Sequence, residues 1–294
     1  MIRACIGLLL LFLVPLGGGL IWGNTQVEVD ETEVDPAIAY INAQSPEGTP
    51  FREAYFEHGG NRLHYVEAGQ GETVLFLHGF PSYWLSLFNQ MVALKEGYRV
   101  VAIDGLGAGR SDAPLDVEHY TLENMSTGVI ALLDELGADK VHLVGHDWGS
   151  TFAFGLAQRH PERVLSVTGI SAPPQNVLLA SLQSDPNARS AAAYIERLKS
   201  ANPLLIVATG GHKRVWTGAY EPLVRAGHLT PEAGQLMRDA TGDPRRLNAH
   251  INWYRANIPA PDALTQTDFW PAPDARLPMP ALMIWGQGSD RLAP

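Results

Sequence analysis

The sequence predicts an α/β protein: a mostly parallel sheet with helices on both faces and a helical cap inserted before its last part. Short, continuous apolar runs recur at residues 73–77, 99–103, 141–144, 164–167 and 280–285. Runs of that kind mark strands buried on both faces of a parallel sheet. Amphipathic stretches at residues 84–94, 121–136 and 151–159 lie between the runs, and strands alternating with helices imply parallel crossovers. Residues 173–269 break the alternation, being helix-rich with no comparable run.

Each element has a local reason. Alternating residues 54–57 and 62–66 flank His58-Gly59-Gly60-Asn61, a turn sequence between two hairpin strands. The stretch 121–136 starts at Thr121, keeps Val129, Ile130, Leu132, Leu133 and Leu136 on one face, and meets Gly137, a natural helix stop. The stretch 151–159 ends at His160-Pro161. The predicted organisation is a first core part over 51–172, a helical cap over 173–270 and a second, incomplete core part over 271–294.

The N-terminus reads differently. Arg3 precedes an apolar run over residues 4–23, long enough to span a bilayer at about 20 residues. Residues 1–23 are expected to be a secretory signal peptide or a retained membrane anchor, so the protein is expected to be exported, periplasmic or secreted, or membrane-anchored. An acidic stretch follows, and residues 24–50 are expected to be a linker.

Composition narrows the function classes. The chain has 294 residues, 46% hydrophobic and 18% charged, with a formal net charge of −10. That suits one globular domain. An acidic chain without a basic run excludes phosphate-backbone recognition, so no nucleic-acid partner is expected. The single cysteine, Cys5, rules out a disulfide framework. No His or Cys spacing suits a metal. Gly105-x-Gly107-x-Gly109 has the wrong spacing for a nucleotide loop, so no cofactor is expected.

The chemistry centres on Gly145-His146-Asp147-Trp148-Gly149, between a strand and a helix. A small-x-nucleophile-x-small pattern in that setting is a nucleophile elbow, lifting its central side chain above the carboxyl edge of the sheet. That residue is Asp147, not serine. A carboxylate attacks an electrophilic carbon and becomes an ester of the enzyme. The competing reading is that Asp147 only caps the following helix. His78-Gly79-Phe80-Pro81 follows the 73–77 run. A loop there supplies one oxyanion-hole amide and the residue after the nucleophile supplies the other, here Phe80 and Trp148. Asp290, on a loop past the last run, is placed to orient a histidine.

Together these motifs resemble the epoxide hydrolase branch of the α/β-hydrolase superfamily, over residues 51–294. Residues 103–112, Ile103-Asp104-Gly105-Leu106-Gly107-Ala108-Gly109-Arg110-Ser111-Asp112, are similar to a structural loop of that branch. Asn252-Trp253-Tyr254-Arg255 resembles its cap motif, which implies that Tyr254 binds the epoxide oxygen. Tyr194 lies where a second such tyrosine is expected. A phenol can stabilise or protonate the alkoxide that ring opening creates. The implied partners are a small apolar epoxide and water.

The resemblance also implies a general-base histidine beyond Asp290. The ten histidines, 58, 64, 78, 119, 142, 146, 160, 212, 228 and 250, all lie upstream. The last strand and helix are likewise expected to be missing, as in a C-terminally truncated copy. Three rivals stand beside the epoxide reading. Haloalkane dehalogenases also use an elbow aspartate, and Trp148 could serve a halide there. An inactive relic or fragment would fit the missing base. A serine esterase using Ser150 fits poorly, because Ser150 lies inside the helix.

Overall fold

The computed structural model describes residues 32–202 and 210–286. Seven strands form one sheet in the order β1-β2-β4-β3-β5-β6-β7. They are β1 (Arg52–His58), β2 (Asn61–Ala68), β3 (Thr73–Leu77), β4 (Arg99–Ile103), β5 (Val141–His146), β6 (Val164–Ile170) and β7 (Ala281–Ile284). The β1–β2 hairpin and the β2–β4 pair are antiparallel; every later pair is parallel.

Period-two alternation splits the strand side chains between two layers. Leu75, Leu77, Val101, Ile103 and Leu143 face a core closed by α3 (Leu122–Glu135) and α4 (Trp148–Arg159). Val74, Phe76, Val100 and Ala102 face the other, closed by α1 (Pro36–Gln44) and α2 (Phe88–Leu94). Thr121 caps α3 by accepting the N–H of Asn124, and Gly137 ends it at φ +65°.

Three expectations need correction. The stretch 24–50, expected to be a linker, contains α1, whose Ala37, Tyr40 and Ile41 are buried in the second core. Its start is well specified: Asp35 accepts the N–H of Ala37, Pro36 takes the first helical position, and Asp35 also accepts the Trp84 indole N–H at 2.8 Å. β7, expected to be buried on both faces, is exposed along its length, with Leu282 at 54% and Ile284 at 46%. It lies at the edge of the described sheet and borrows its register from β6 alone. β5 is buried only on alternate residues; His142, Val144 and His146 are half-exposed.

The expected cap stretch contains α5 (Gln175–Ser184), α6 (Pro186–Ala191), α7 (Ala193–Lys199), α8 (Gly211–Val215), α9 (Glu221–Arg225), α10 (Pro231–Ala240) and α11 (Pro244–Asn257). α11 is bolted to the core. Trp253 donates its indole N–H to Leu106 O at 2.9 Å. Asn257 donates to Tyr120 O and accepts from Leu122 N, both at 2.8 Å. These bonds fix where Tyr254 sits. Among the described residues, no helix is long and apolar enough to cross a membrane. Residues 1–23 and Asp290 lie outside the described residues.

Candidate active site

β5 delivers the chain to its carboxyl edge, where Asp147 turns it into α4 at φ +55°, ψ −125°. A non-glycine residue there is strained by about 1–3 kcal/mol, so its surroundings must hold it. The Asp147 N–H donates to Ile170 O at 2.9 Å. Three glycines allow the close approach. A Cβ on Gly145 would lie 2.1 Å from Gly149 O, and one on Gly149 would lie 1.9 Å from Leu77 O. A Cβ on Gly79 would lie 2.4 Å from the Asp147 Cβ. Real non-bonded carbons do not come so near backbone.

The Asp147 side chain makes no capping bond to α4. It turns instead toward the two expected amides. Phe80 N–H donates to Asp147 Oδ1 at 3.0 Å, and the neighbouring Trp148 amide also favours the ionised carboxylate. Burial raises the Asp147 pKa above the ordinary carboxylate value, while the two amides pull against it.

The loop that presents Phe80 is braced from behind. Gly105 N–H donates to His78 Nε2 at 3.0 Å, so that nitrogen is an acceptor. His78 Nδ1 must then carry the proton and donate to Gly79 O at 2.8 Å. Burial lowers the His78 pKa, which suits this neutral tautomer. Tyr220 of the cap donates its hydroxyl to Pro81 O. His78 therefore holds backbone and has no lone pair left for a substrate.

Facing Asp147 is a narrow cavity of about 20 Å³, room for about one water. Asp147, Trp148, Tyr194 and Tyr254 all line it, with Thr151, Leu178, Ile195 and Ile258. The Tyr254 ring stands perpendicular to Trp148 at 5.1 Å and to Phe80 at 5.2 Å, and 6.4 Å from Tyr194. Burial raises the Tyr254 pKa well above its usual value, with the Asp147 charge and the Tyr194 side chain adding to it. With its pKa held up in this way, the Tyr254 hydroxyl stays protonated at neutral pH.

Five of the six expected site residues thus converge: Asp147, Phe80, Trp148, Tyr194 and Tyr254. Asp290 falls outside the described residues. Among the described residues, no histidine lines the cavity and no grouping could hold a metal ion. Sequence reasoning missed Thr151, Leu178, Ile195 and Ile258. Thr151 was legible, one helical turn beyond Asp147. The other three come from cap segments whose placement depends on tertiary packing. His250 was passed over as well; its ring lies 4.9 Å from Phe80 and 5.7 Å from His78, buried with Nε2 unpaired. Trp216, Phe269 and Trp270, further aromatics of the cap, do not line the cavity. Trp216 packs near Gly234 of α10, and Trp270 against Gly155 of α4.

Residues 72–294 match the family profile described as alpha/beta hydrolase fold. Human "Epoxide hydrolase 4" is 32% identical over 240 residues, covering 78% of this chain and 62% of the relative. A Shewanella oneidensis protein named "Cis-3-alkyl-4-alkyloxetan-2-one decarboxylase" is 41% identical over 117 residues, 39% of this chain and 37% of the relative. The crystal structure of Bacillus megaterium epoxide hydrolase with an inhibitor superposes with a TM-score of 0.70 at 25% identity, covering 82% of this chain and 85% of that one. The chain spans less than two thirds of the length of these curated relatives. It belongs to the α/β-hydrolase fold family, and the motif resemblance to the epoxide hydrolase branch is matched by relatives in sequence and in structure.

Proposed function

We propose that Asp147 opens small apolar epoxides by forming an alkyl ester. One carboxylate oxygen attacks a ring carbon as the carbon–oxygen ring bond breaks. The electron pair goes to the ring oxygen, which takes a proton from Tyr254 or Tyr194. Water then attacks the ester carbonyl, and the amides of Phe80 and Trp148 stabilise the resulting oxyanion. The tetrahedral adduct then collapses: the alkoxide leaves as the vicinal diol with one proton of the water, the other returns to the tyrosinate, and Asp147 is left as the carboxylate. What carries this reading is the aim of two main-chain donors at a buried carboxylate with a phenol across the cavity.

Water attack needs a base. No histidine among the described residues lines the cavity, so ester formation is expected to outrun ester hydrolysis. The test is mass spectrometry of the intact chain after incubation with styrene oxide. A covalent increase of one substrate mass, localised to Asp147 and absent in Asp147→Asn, is expected. Tyr254→Phe should slow its appearance by about 10²-fold. Sustained diol release would mean that a base from outside the cavity's described lining activates water, and no adduct at all would leave an inactive relic as the better reading. The dehalogenase reading is weaker, because the two phenols implied by the epoxide resemblance, Tyr254 and Tyr194, line the cavity at Asp147. Halide release from a haloalkane without reaction at epoxides would reverse that preference.

Residues 1–23 support a second proposal, export or membrane anchoring. Fractionation of expressing cells checks it: recovery of the full-length chain in the cytoplasm would end it.

A further inference from the structure

A larger cavity, of about 250 Å³, lies away from Asp147. It enters between the turn of the β1–β2 hairpin and α3, and ends beneath His78 and Trp253. The two cavities share no lining residue. Trp253 and Phe152 back the larger one; their neighbours Tyr254 and Thr151 face the smaller, and the Trp148 and Trp253 rings meet at 6.4 Å between them.

Its chemistry is divided by depth. The inner wall is apolar: Leu63, Leu77, Ile103, Leu106, Val129 and Phe152. The mouth carries polar groups, and two hydrogen bonds brace it. His58 Nε2 meets Thr127 Oγ1 at 2.9 Å, and Asn61 Nδ2 meets His119 Nδ1 at 3.0 Å. Among the described residues, no Asp, Glu, Lys or Arg lines any part of it. An ionised group buried against the inner wall would lose its hydration with nothing to replace it.

Protein interiors are packed close to crystal density, with few voids larger than a water. A dry apolar cavity of about 150 Å³ in another protein is enough to take up benzene. This cavity is larger, more open and edged with hydrogen-bonding groups.

We propose that it is a second binding site, for a small neutral molecule with an apolar body and one hydrogen-bonding group. The body lies against Phe152 and Leu77, and the polar group stays at the Asn61–His119 rim. This assignment does not depend on the chemistry of Asp147.

Calorimetric titration with benzyl alcohol and with benzoate, which differ chiefly in charge, tests it. Saturable binding of one benzyl alcohol per chain is expected, with benzoate weaker by at least about tenfold. Met125→Trp, at the half-buried edge of the mouth, should weaken benzyl alcohol binding by about tenfold or more. Leu178→Trp, in the cavity at Asp147, should leave it unchanged. If Met125→Trp does not fold, Leu63→Ala replaces it; enlarging the cavity should shift preference toward 2-naphthalenemethanol. No saturable binding, equal binding of benzoate, binding lost in Leu178→Trp instead of Met125→Trp, or an unshifted preference in Leu63→Ala would each overturn the proposal.

Discussion

Asp147 is held against two preferences at once. Its backbone sits at positive φ, and its carboxylate is buried with a raised pKa. The Phe80 and Trp148 amides are what chiefly favour the charged form. The consequence is a pH dependence of known sign. The ionised carboxylate is the nucleophile, so labelling by an epoxide should be slow in acid and rise with pH. Because the folded pKa is raised, the midpoint should fall above about 3.9, the value of an unperturbed aspartate. The initial rate of adduct formation between pH 3 and 8, followed by intact-mass measurement, checks it. A midpoint below that value would mean that the two amides outweigh burial.

The elbow shows how a secondary-structure junction stores a requirement that no single contact reveals. Gly149 lies in the first turn of α4, where glycine is ordinarily a liability relative to alanine. It is kept there by Leu77 O, which a Cβ would approach to 1.9 Å, with His78 O at 2.7 Å. Both atoms are backbone at the end of β3, the strand that leads into the Phe80 loop, and cannot swing aside. Gly149→Ala is therefore expected to cost about 3 kcal/mol or more, read as a drop in the urea midpoint, whereas Gly218→Ala, where nothing lies within 4 Å, should change it little. The same junction explains what was legible in the sequence. The elbow and the Phe80 loop are backbone devices, so their glycines and neighbours announce them. The cap wall is not: Leu178, Ile195 and Ile258 are ordinary apolar residues on ordinary helices, and only the docking of α5, α7 and the end of α11 makes them a cavity. α1 was announced by Asp35-Pro36 and still passed over, because its acidic flank resembles a linker. β7 reads as a buried strand by composition alone, and burial depends on what covers it.

Three buried histidines pull the whole molecule in opposite directions on the pH scale. His64 sits between Asp104, 2.8 Å from its Nδ1, and Glu53, 3.0 Å from its Nε2. Burial opposes its charge, but the two carboxylates prevail and push its pKa up to about 9. Burial likewise works against both carboxylates, yet the histidine holds Asp104 and Glu53 below their ordinary values. A raised folded pKa means that the His64 contribution is complete below about 6.5, its unfolded value, and lost as pH climbs through about 9. At 1.36 kcal/mol per unit, that loss is about 3 kcal/mol. His78 and His250 behave oppositely. Burial lowers both, so they stay neutral when folded while the unfolded chain takes up protons below about 6.5. Each therefore removes stability as pH falls through that value. Asp104 and Glu53 add to the acid loss only lower, as pH drops from the unfolded carboxylate range, about 4, toward their depressed folded values. Stability should accordingly peak near pH 6.5 and decline on both sides, the alkaline decline arising from one site. Urea unfolding from pH 5 to 10 measures this directly. His64→Gln, which cannot carry the charge, should flatten the alkaline limb and leave the acid limb set by His78 and His250. An alkaline decline that survives in His64→Gln would mean that the Glu53–His64–Asp104 cluster is not its source.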